Sequence, residues 1–178
     1  MVTLENTPQA EKELFKAILP ANIKSGIEIG VLNGETSGFF LNTFPELELV
    51  GIDPIIPDSM EASLIGSEEK IRGNTEKYNR FLLVKDYSQN AEKWFDPETQ
   101  DFVFIDGSHH YNDVKVDYQL YLPKVKPGGF IFIHDSRMNR GGAPFHVGPS
   151  KLVDEIIAGD RSVKLVGEAF SLTAFQKV

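Results

Sequence analysis

The 178-residue chain carries a formal net charge of −8, is 41% hydrophobic and contains no cysteine. That size and apolar content suit one domain with a sizeable core, and the missing cysteines exclude disulfides, thiolate zinc sites and a cysteine nucleophile. The acidic balance, without any Lys/Arg cluster, speaks against nucleic acid as a partner, and no apolar run approaches the ~20 residues that span a bilayer. Met1-Val2-Thr3-Leu4-Glu5 lacks the charged-then-apolar pattern of a secretory signal, so the expected location is cytoplasmic.

Taken in chain order, Thr7-Pro8 reads as an N-cap followed by proline at the first helical position. Leu14, Phe15, Ile18 and Leu19 continue as a helical stripe that stops at Pro20. Short apolar, β-branched or aromatic runs predict strands at 27–31, 48–52, 81–84, 102–105, 130–133, 163–166 and 170–174. Helices are predicted between them at 37–43, 61–72, 89–94, 114–122 and 151–158. The clearest carries Val114, Tyr118, Tyr121 and Leu122 on one face and ends before Pro123. Trp94, Phe95, Phe102 and Phe104 read as core. Strands alternating with helices imply an α/β fold, a Rossmann-like, mostly parallel seven-stranded sheet with helices on both faces. Only Gly167 and Glu168 separate the last two runs, which predicts a C-terminal antiparallel hairpin. No repeat or low-complexity linker interrupts the pattern, so 1–178 reads as a single domain.

Ligands of such sheets sit beyond the carboxyl ends of the strands, where the strand order reverses. The residues predicted there are Gly30 to Gly34, Asp53, Lys85-Asp86-Tyr87-Ser88, Asp106-Gly107-Ser108-His109-His110 and His134-Asp135. Most of the titratable chemistry of the chain therefore converges on one edge. In Gly26-Ile27-Glu28-Ile29-Gly30-Val31-Leu32-Asn33-Gly34, the glycines at 30 and 34 let the backbone turn sharply and approach a ligand closely. Asp53 closes the next apolar run, about where nucleotide-binding folds place a ribose-binding carboxylate. Together they point to a nucleoside-containing cofactor. The dinucleotide spacing G-x-G-x-x-G is not met, and Glu28 would repel a pyrophosphate while suiting a ligand with an ammonium group.

The Glu28-x-Gly30-x-x-x-Gly34 segment resembles the first motif of class I S-adenosylmethionine-dependent methyltransferases. Phe102-Val103-Phe104-Ile105-Asp106-Gly107-Ser108-His109-His110-Tyr111 and Pro127-Gly128-Gly129-Phe130-Ile131-Phe132-Ile133-His134-Asp135 narrow this resemblance to small-molecule O-methyltransferases. These include the sugar-modifying enzymes of macrolide pathways and, more distantly, the metal-dependent catechol and caffeoyl-coenzyme A enzymes. The resemblance implies S-adenosylmethionine as cofactor and a small hydroxylated acceptor, sugar or phenol-like. It implies that Glu28 and Gly30 contact the methionine portion, that Gly34 permits the turn and that Thr36 bonds the carboxylate. Asp53 would take the ribose hydroxyls, Tyr87 and Ser88 would lie along the adenine, and Asp106 would orient the cofactor. Ser88 also suits a helix N-cap.

Asp106 and Asp135, with His134, are the candidate ligands of a divalent metal, Mg²⁺ or Mn²⁺, that would bind the acceptor hydroxyl. Metal-dependent relatives tend to carry an acidic residue at position 134, and an imidazole there shifts preference toward Mn²⁺, Fe²⁺ or Zn²⁺. An alternative is a cleft without metal, in which His134 only hydrogen-bonds. His109, three residues after Asp106, is placed where related enzymes carry the base, with His110 the second choice. The segments 54–80 (with Ile55, Ile56, Met60 and Leu64) and 136–149 are expected to form the acceptor pocket, Arg137 and Arg140 clamping an anionic group. Many relatives cover the acceptor with extra N-terminal helices, so a homo-oligomer is expected to complete the pocket. The competing readings are a nicotinamide-dependent oxidoreductase and a non-catalytic methyltransferase-like binding domain.

Overall fold

Alternation along the central strands decides which face of the sheet each side chain enters. In the computed structural model, which describes residues 1–4, 7–57, 65–137 and 147–178, the strands are β1 (Val2–Thr3), β2 (Ser25–Ile29), β3 (Glu48–Ile52), β4 (Phe81–Val84), β5 (Gln100–Ile105), β6 (Val125–Ile133), β7 (Val163–Ala169) and β8 (Leu172–Lys177). They form one sheet in the order β1-β7-β8-β6-β5-β2-β3-β4. The pairs that β8 makes with β6 and β7 are antiparallel, and all others are parallel. The helices are α1 (Pro8–Ile18), α2 (Glu35–Thr43), α3 (Glu68–Thr75), α4 (Ser88–Ala91), α5 (Tyr111–Tyr121) and α6 (Val147–Gly159). This is the expected Rossmann-like α/β architecture with its antiparallel finish, plus an eighth strand: β1 adds to the edge beside β7. Among the described residues no helix is long and apolar enough to cross a membrane.

Two cores follow from the period of two along the strands. Phe102 and Phe104 of β5 and Phe132 of β6 face α1 and α2, while Val103, Ile105, Ile131 and Ile133 face α5 and α6. Phe15 of α1 anchors the first core, its ring 4.8 Å from Phe40, 5.3 Å from Phe104 and 4.7 Å from Phe132. Such aromatic pairs add about 0.5–1.5 kcal/mol each beyond the area they bury. The second core takes Val114, Tyr118 and Tyr121 of α5 with Leu152, Val153 and Ile156 of α6.

Four local expectations are corrected. Strand β2 ends at Ile29, two residues early, because Gly30 leaves the extended region at φ +87°. Helix α3 starts at Glu68, where Ser67 Oγ accepts the Lys70 amide at 3.3 Å; 65–67 are not helical, and 61–64 of the predicted helix lie outside the described residues. The hairpin turns at Phe170–Ser171, and Gly167 and Glu168 belong to β7. Gly167 serves packing: a Cβ there would stand 2.8 Å from the side chains of Leu14 and Ile18. Trp94 is 60% exposed, whereas Phe102 and Phe104 are core as expected.

The chain runs from β2 outward through β3 to β4, then returns to place β5 on the other side of β2. This reversal opens a crevice at the carboxyl edge. The ladders continue one residue past the strands there. The Asp106 amide donates to Ile29 O (2.8 Å), the His134 amide to Ile105 O (3.0 Å) and the Asp53 amide to Val84 O (3.1 Å). Three chemistry-bearing residues are thereby fixed by backbone bonds at one edge.

Candidate functional site

A cavity of about 700 Å³ occupies the crevice, well within the range of small-molecule sites. Of the residues expected at the site, Glu28, Gly30, Thr36, Asp53, Tyr87, Ser88, Asp106, His109, His134 and Asp135 line it, whereas Gly34, Lys85, Asp86, His110 and Arg137 do not. Gly34 instead takes a left-handed conformation (φ +77°) as the N-cap of α2. At Gly30 a Cβ would lie 2.1 Å from the carbonyl oxygen of Asp106, so only glycine lets β2 turn this close to the end of β5.

The glycine loop is organised by Asp53. Its Oδ2 accepts the amides of Val31 and Leu32, both at 2.8 Å, and its Oδ1 accepts the amide of Ile55 at 2.7 Å. Leu32 and Ile55 are held at φ +52° and +56°, and strain of this kind concentrates at ligand sites. Glu28 is 1% exposed and accepts a hydrogen bond from the Ser37 hydroxyl. Burial pushes its carboxyl up to about 8 against the pull of Ser37, with Asp106 and Asp53 adding to the rise. Thr36 lies half-buried in the first turn of α2, at the cavity wall.

Tyr87 is exposed at the cavity rim and is itself the N-cap of α4. Ser88 is therefore the first helical residue, not the cap, and its hydroxyl donates to Asp117 instead. Asp117 was not anticipated. It is 3% exposed, lines the cavity, and is pushed up to about 6 by burial, with Ser88 opposing and Asp113 reinforcing. Its signal in the sequence is an acid three residues after Val114 and four before Tyr121, inside the apolar stripe of α5.

At the ends of β5 and β6 the structure brings Asp106, His134, Asp135 and His109 together. His134 Nδ1 lies 3.0 Å from Asp106 Oδ1 and 3.2 Å from Asp135 Oδ2. His134 Nε2 lies 3.1 Å from Glu11 Oε2. Burial opposes the charged imidazole, but Asp106, Asp135 and Glu11 outweigh it and hold the pKa of His134 well above its ordinary value. His109 Nε2 stands 2.9 Å from Asp135 Oδ2. His110 lies exposed at the N-cap of α5, away from the cavity lining. Glu11 was also missed, although it shares a helical stripe with Leu14, Phe15 and Ile18 at the spacing of an inward-facing residue.

Of the expected acceptor segments, Ile56 lines the cavity, while Met60, Leu64 and Arg140 lie outside the described residues. Arg137 is not a free clamp: it pairs with Glu168 and, at 3.4 Å, with Asp154. Its guanidinium is consumed in tying the end of β6 to β7 and α6.

Comparison with known proteins adds the following. The family described as methyltransferase domain matches residues 27–136. An uncharacterized protein of Acanthamoeba polyphaga mimivirus is 31% identical over 145 residues, which cover 76% of this chain and 62% of that relative. Among solved structures, the O-methyltransferase TomG from Streptomyces achromogenes, involved in tomaymycin synthesis and in complex with SAM, superposes with a TM-score of 0.71 at 15% identity, over 97% of this chain and 81% of that one. MycE methyltransferase from the mycinamycin biosynthetic pathway, in complex with Mg, SAH and mycinamycin VI, superposes with a TM-score of 0.62 at 18% identity, over 95% of this chain and 48% of that one. At these identities the structural likeness bears on the fold.

Proposed function

This chain belongs to the family of methyltransferase domains, and from that premise we propose that it moves a methyl group from S-adenosylmethionine to a hydroxyl of a small acceptor, a sugar or a phenol-like molecule. The observation that carries this reading is that the glycine loop with Asp53 and the imidazole–carboxylate cluster open into one cavity. The fold is shared with TomG, solved with SAM, and with MycE, solved with Mg, SAH and mycinamycin VI.

S-adenosylmethionine supplies an electrophilic methyl carbon on a sulfonium. The chain supplies position and proton transfer. Glu28, at the base of the glycine loop, is suited to the ammonium of the methionine end, and Thr36 to its carboxylate. Asp53 has three of its ~four lone-pair directions filled by backbone amides, which leaves one on Oδ1 for a ribose hydroxyl. Tyr87 offers a ring face to the adenine. The Ser88 hydroxyl donates its hydrogen bond to Asp117, so its oxygen is left to accept from an exocyclic amine. His109 is the proposed base, with Asp135 orienting its ring. Holding the hydroxyl and the methyl carbon together supplies most of the acceleration, and the base adds about 10²–10⁴-fold.

The residues at the strand ends also fit a divalent cation. Asp106, His134 and Asp135 each offer an atom within 4.8 Å of the others, and His134 Nδ1 lies 3.0 and 3.2 Å from the two carboxylate oxygens. Neighbouring ligands of a six-coordinate ion with bonds of ~2.1 Å are about 3 Å apart. A cation held there would lower the pKa of the acceptor hydroxyl.

The family assignment displaces the nicotinamide-dependent oxidoreductase, and turnover separates an enzyme from a binding domain. Incubation with S-adenosylmethionine labelled in its methyl group, Mn²⁺ and a panel of hydroxylated sugars and phenols should give a labelled ether. Label transfer to none of them by protein that binds S-adenosylhomocysteine would favour the binding-domain reading.

A further inference from the structure

Glu11 lies outside the glycine loop and outside both acceptor segments, yet it reaches the cation cluster from α1. Its Oε1 accepts two bonds from Ser171, from the amide at 3.0 Å and from the hydroxyl at 2.8 Å. That leaves Oε2 aimed at His134 Nε2, 3.1 Å away. The Ser171 hydroxyl also lies 3.4 Å from that nitrogen. The ring of Phe104 meets the imidazole edge-on at 6.0 Å. The histidine is thus held by one nitrogen while the other, Nδ1, faces Asp106 and Asp135.

We propose that Glu11 is the positioning residue of the cation site. By accepting the Nε2 proton of His134, it selects, when a cation is bound, the tautomer whose Nδ1 lone pair points at the space between Asp106 and Asp135. His134 then becomes the nitrogen member of a donor set with two carboxylate oxygens. The inference rests on the divalent-cation reading above and deepens it. Imidazole ligands are generally oriented by a carboxylate on their second nitrogen, and loss of that partner costs about 10–100-fold in metal affinity. A mixed nitrogen and oxygen set also favours Mn²⁺, Fe²⁺ or Zn²⁺ over Mg²⁺, which takes oxygen ligands almost alone.

Glu11→Gln tests the tautomer directly. The Ser171 amide can only donate, so the glutamine oxygen must stay on Ser171 and the glutamine NH₂ must face His134 Nε2. A donor there requires Nε2 to accept, which moves the ring proton to Nδ1 and closes that nitrogen to the cation.

The probe is Mn²⁺, titrated into the metal-stripped full chain by electron paramagnetic resonance. Pulsed spectra of the bound ion report any directly coordinated nitrogen. The wild-type chain should bind Mn²⁺ with a nitrogen coupling, and His134→Asp should keep the ion but lose the coupling. Glu11→Gln, checked for fold by circular dichroism, should lose the coupling and bind Mn²⁺ about 10–100-fold more weakly. If Glu11→Gln fails to fold, Glu11→Asp, one methylene short of His134 Nε2, takes its place and should also weaken Mn²⁺ binding; unchanged affinity in it overturns the proposal. Mn²⁺ bound without nitrogen coupling, a coupling that persists in His134→Asp, or an unchanged folded Glu11→Gln each overturns the proposal and leaves the cation reading standing. No Mn²⁺ binding by the wild-type chain overturns both.

Discussion

His109 Nε2 lies 2.9 Å from Asp135 Oδ2, so the proposed base and its carboxylate partner follow the ends of adjacent strands. Both groups border the cavity. His109→Ala is expected to lower kcat by about 10²–10⁴-fold, the share of a general base, with S-adenosylhomocysteine affinity nearly unchanged. Single-turnover kinetics beside a binding titration check this, and equal losses in both would remove His109 from the base role.

The role proposed for Glu28 ties cofactor binding to protons. In the folded chain burial raises its carboxyl from 4.5 to about 8, so near pH 7 the folded form holds a proton that the unfolded form has lost. The stability contributed by the protonated form is complete below 4.5 and is lost as pH climbs through about 8. Glu28→Gln should flatten the fall of Tm across that window. A ligand ammonium beside Glu28 would favour its charged form, so cofactor binding at pH 7 should release up to about one proton. Calorimetry in buffers of different ionisation enthalpy reads that release, and buffer-independent heats would contradict it.

Asp117 obeys the same sign over a lower window, from 3.8 to about 6. Asn at this position keeps an oxygen for the Ser88 hydroxyl and removes the cost of a buried charge. Asp117→Asn should therefore stabilise the fold by roughly 1–3 kcal/mol at pH 8, given ~1.4 kcal/mol per pKa unit, and by almost nothing at pH 3. Denaturant titrations at the two pH values test it; equal effects at both would show that charge is not the cause.

Arg137 is expected to act on stability rather than on acceptor binding. Its side chain is 13% exposed and that of Glu168 10%, and removing one member of such a pair strands the other. Arg137→Ala should cost about 3 kcal/mol with KM for the acceptor unchanged. A raised KM at unchanged stability would restore the anion clamp.

The sequence shows the strands most clearly where the pattern is local. The bounds of β3 and β4 match their apolar runs residue for residue, and the parallel topology then places Asp53, Asp106 and His134 at one edge. Partners brought by tertiary packing are harder to read. Glu11 and His134 are 123 positions apart and meet because α1 packs over β5 and β6. Ser88 and Asp117 meet because α4 packs against α5, and neither pairing leaves a spacing to find. Gly167 misled in a different way, since a glycine needed for close packing reads like a turn. Trp94 reads as core from its residue type alone, yet it follows Glu92 and Lys93 and lies on the surface.

The most direct test of the cofactor assignment is calorimetric titration of the metal-stripped full chain with S-adenosylhomocysteine, with and without Mn²⁺. Saturable binding with one ligand per chain is the predicted result, with a further change in heat when Mn²⁺ is present. Folded protein that gives no saturable heat in either condition would contradict the account.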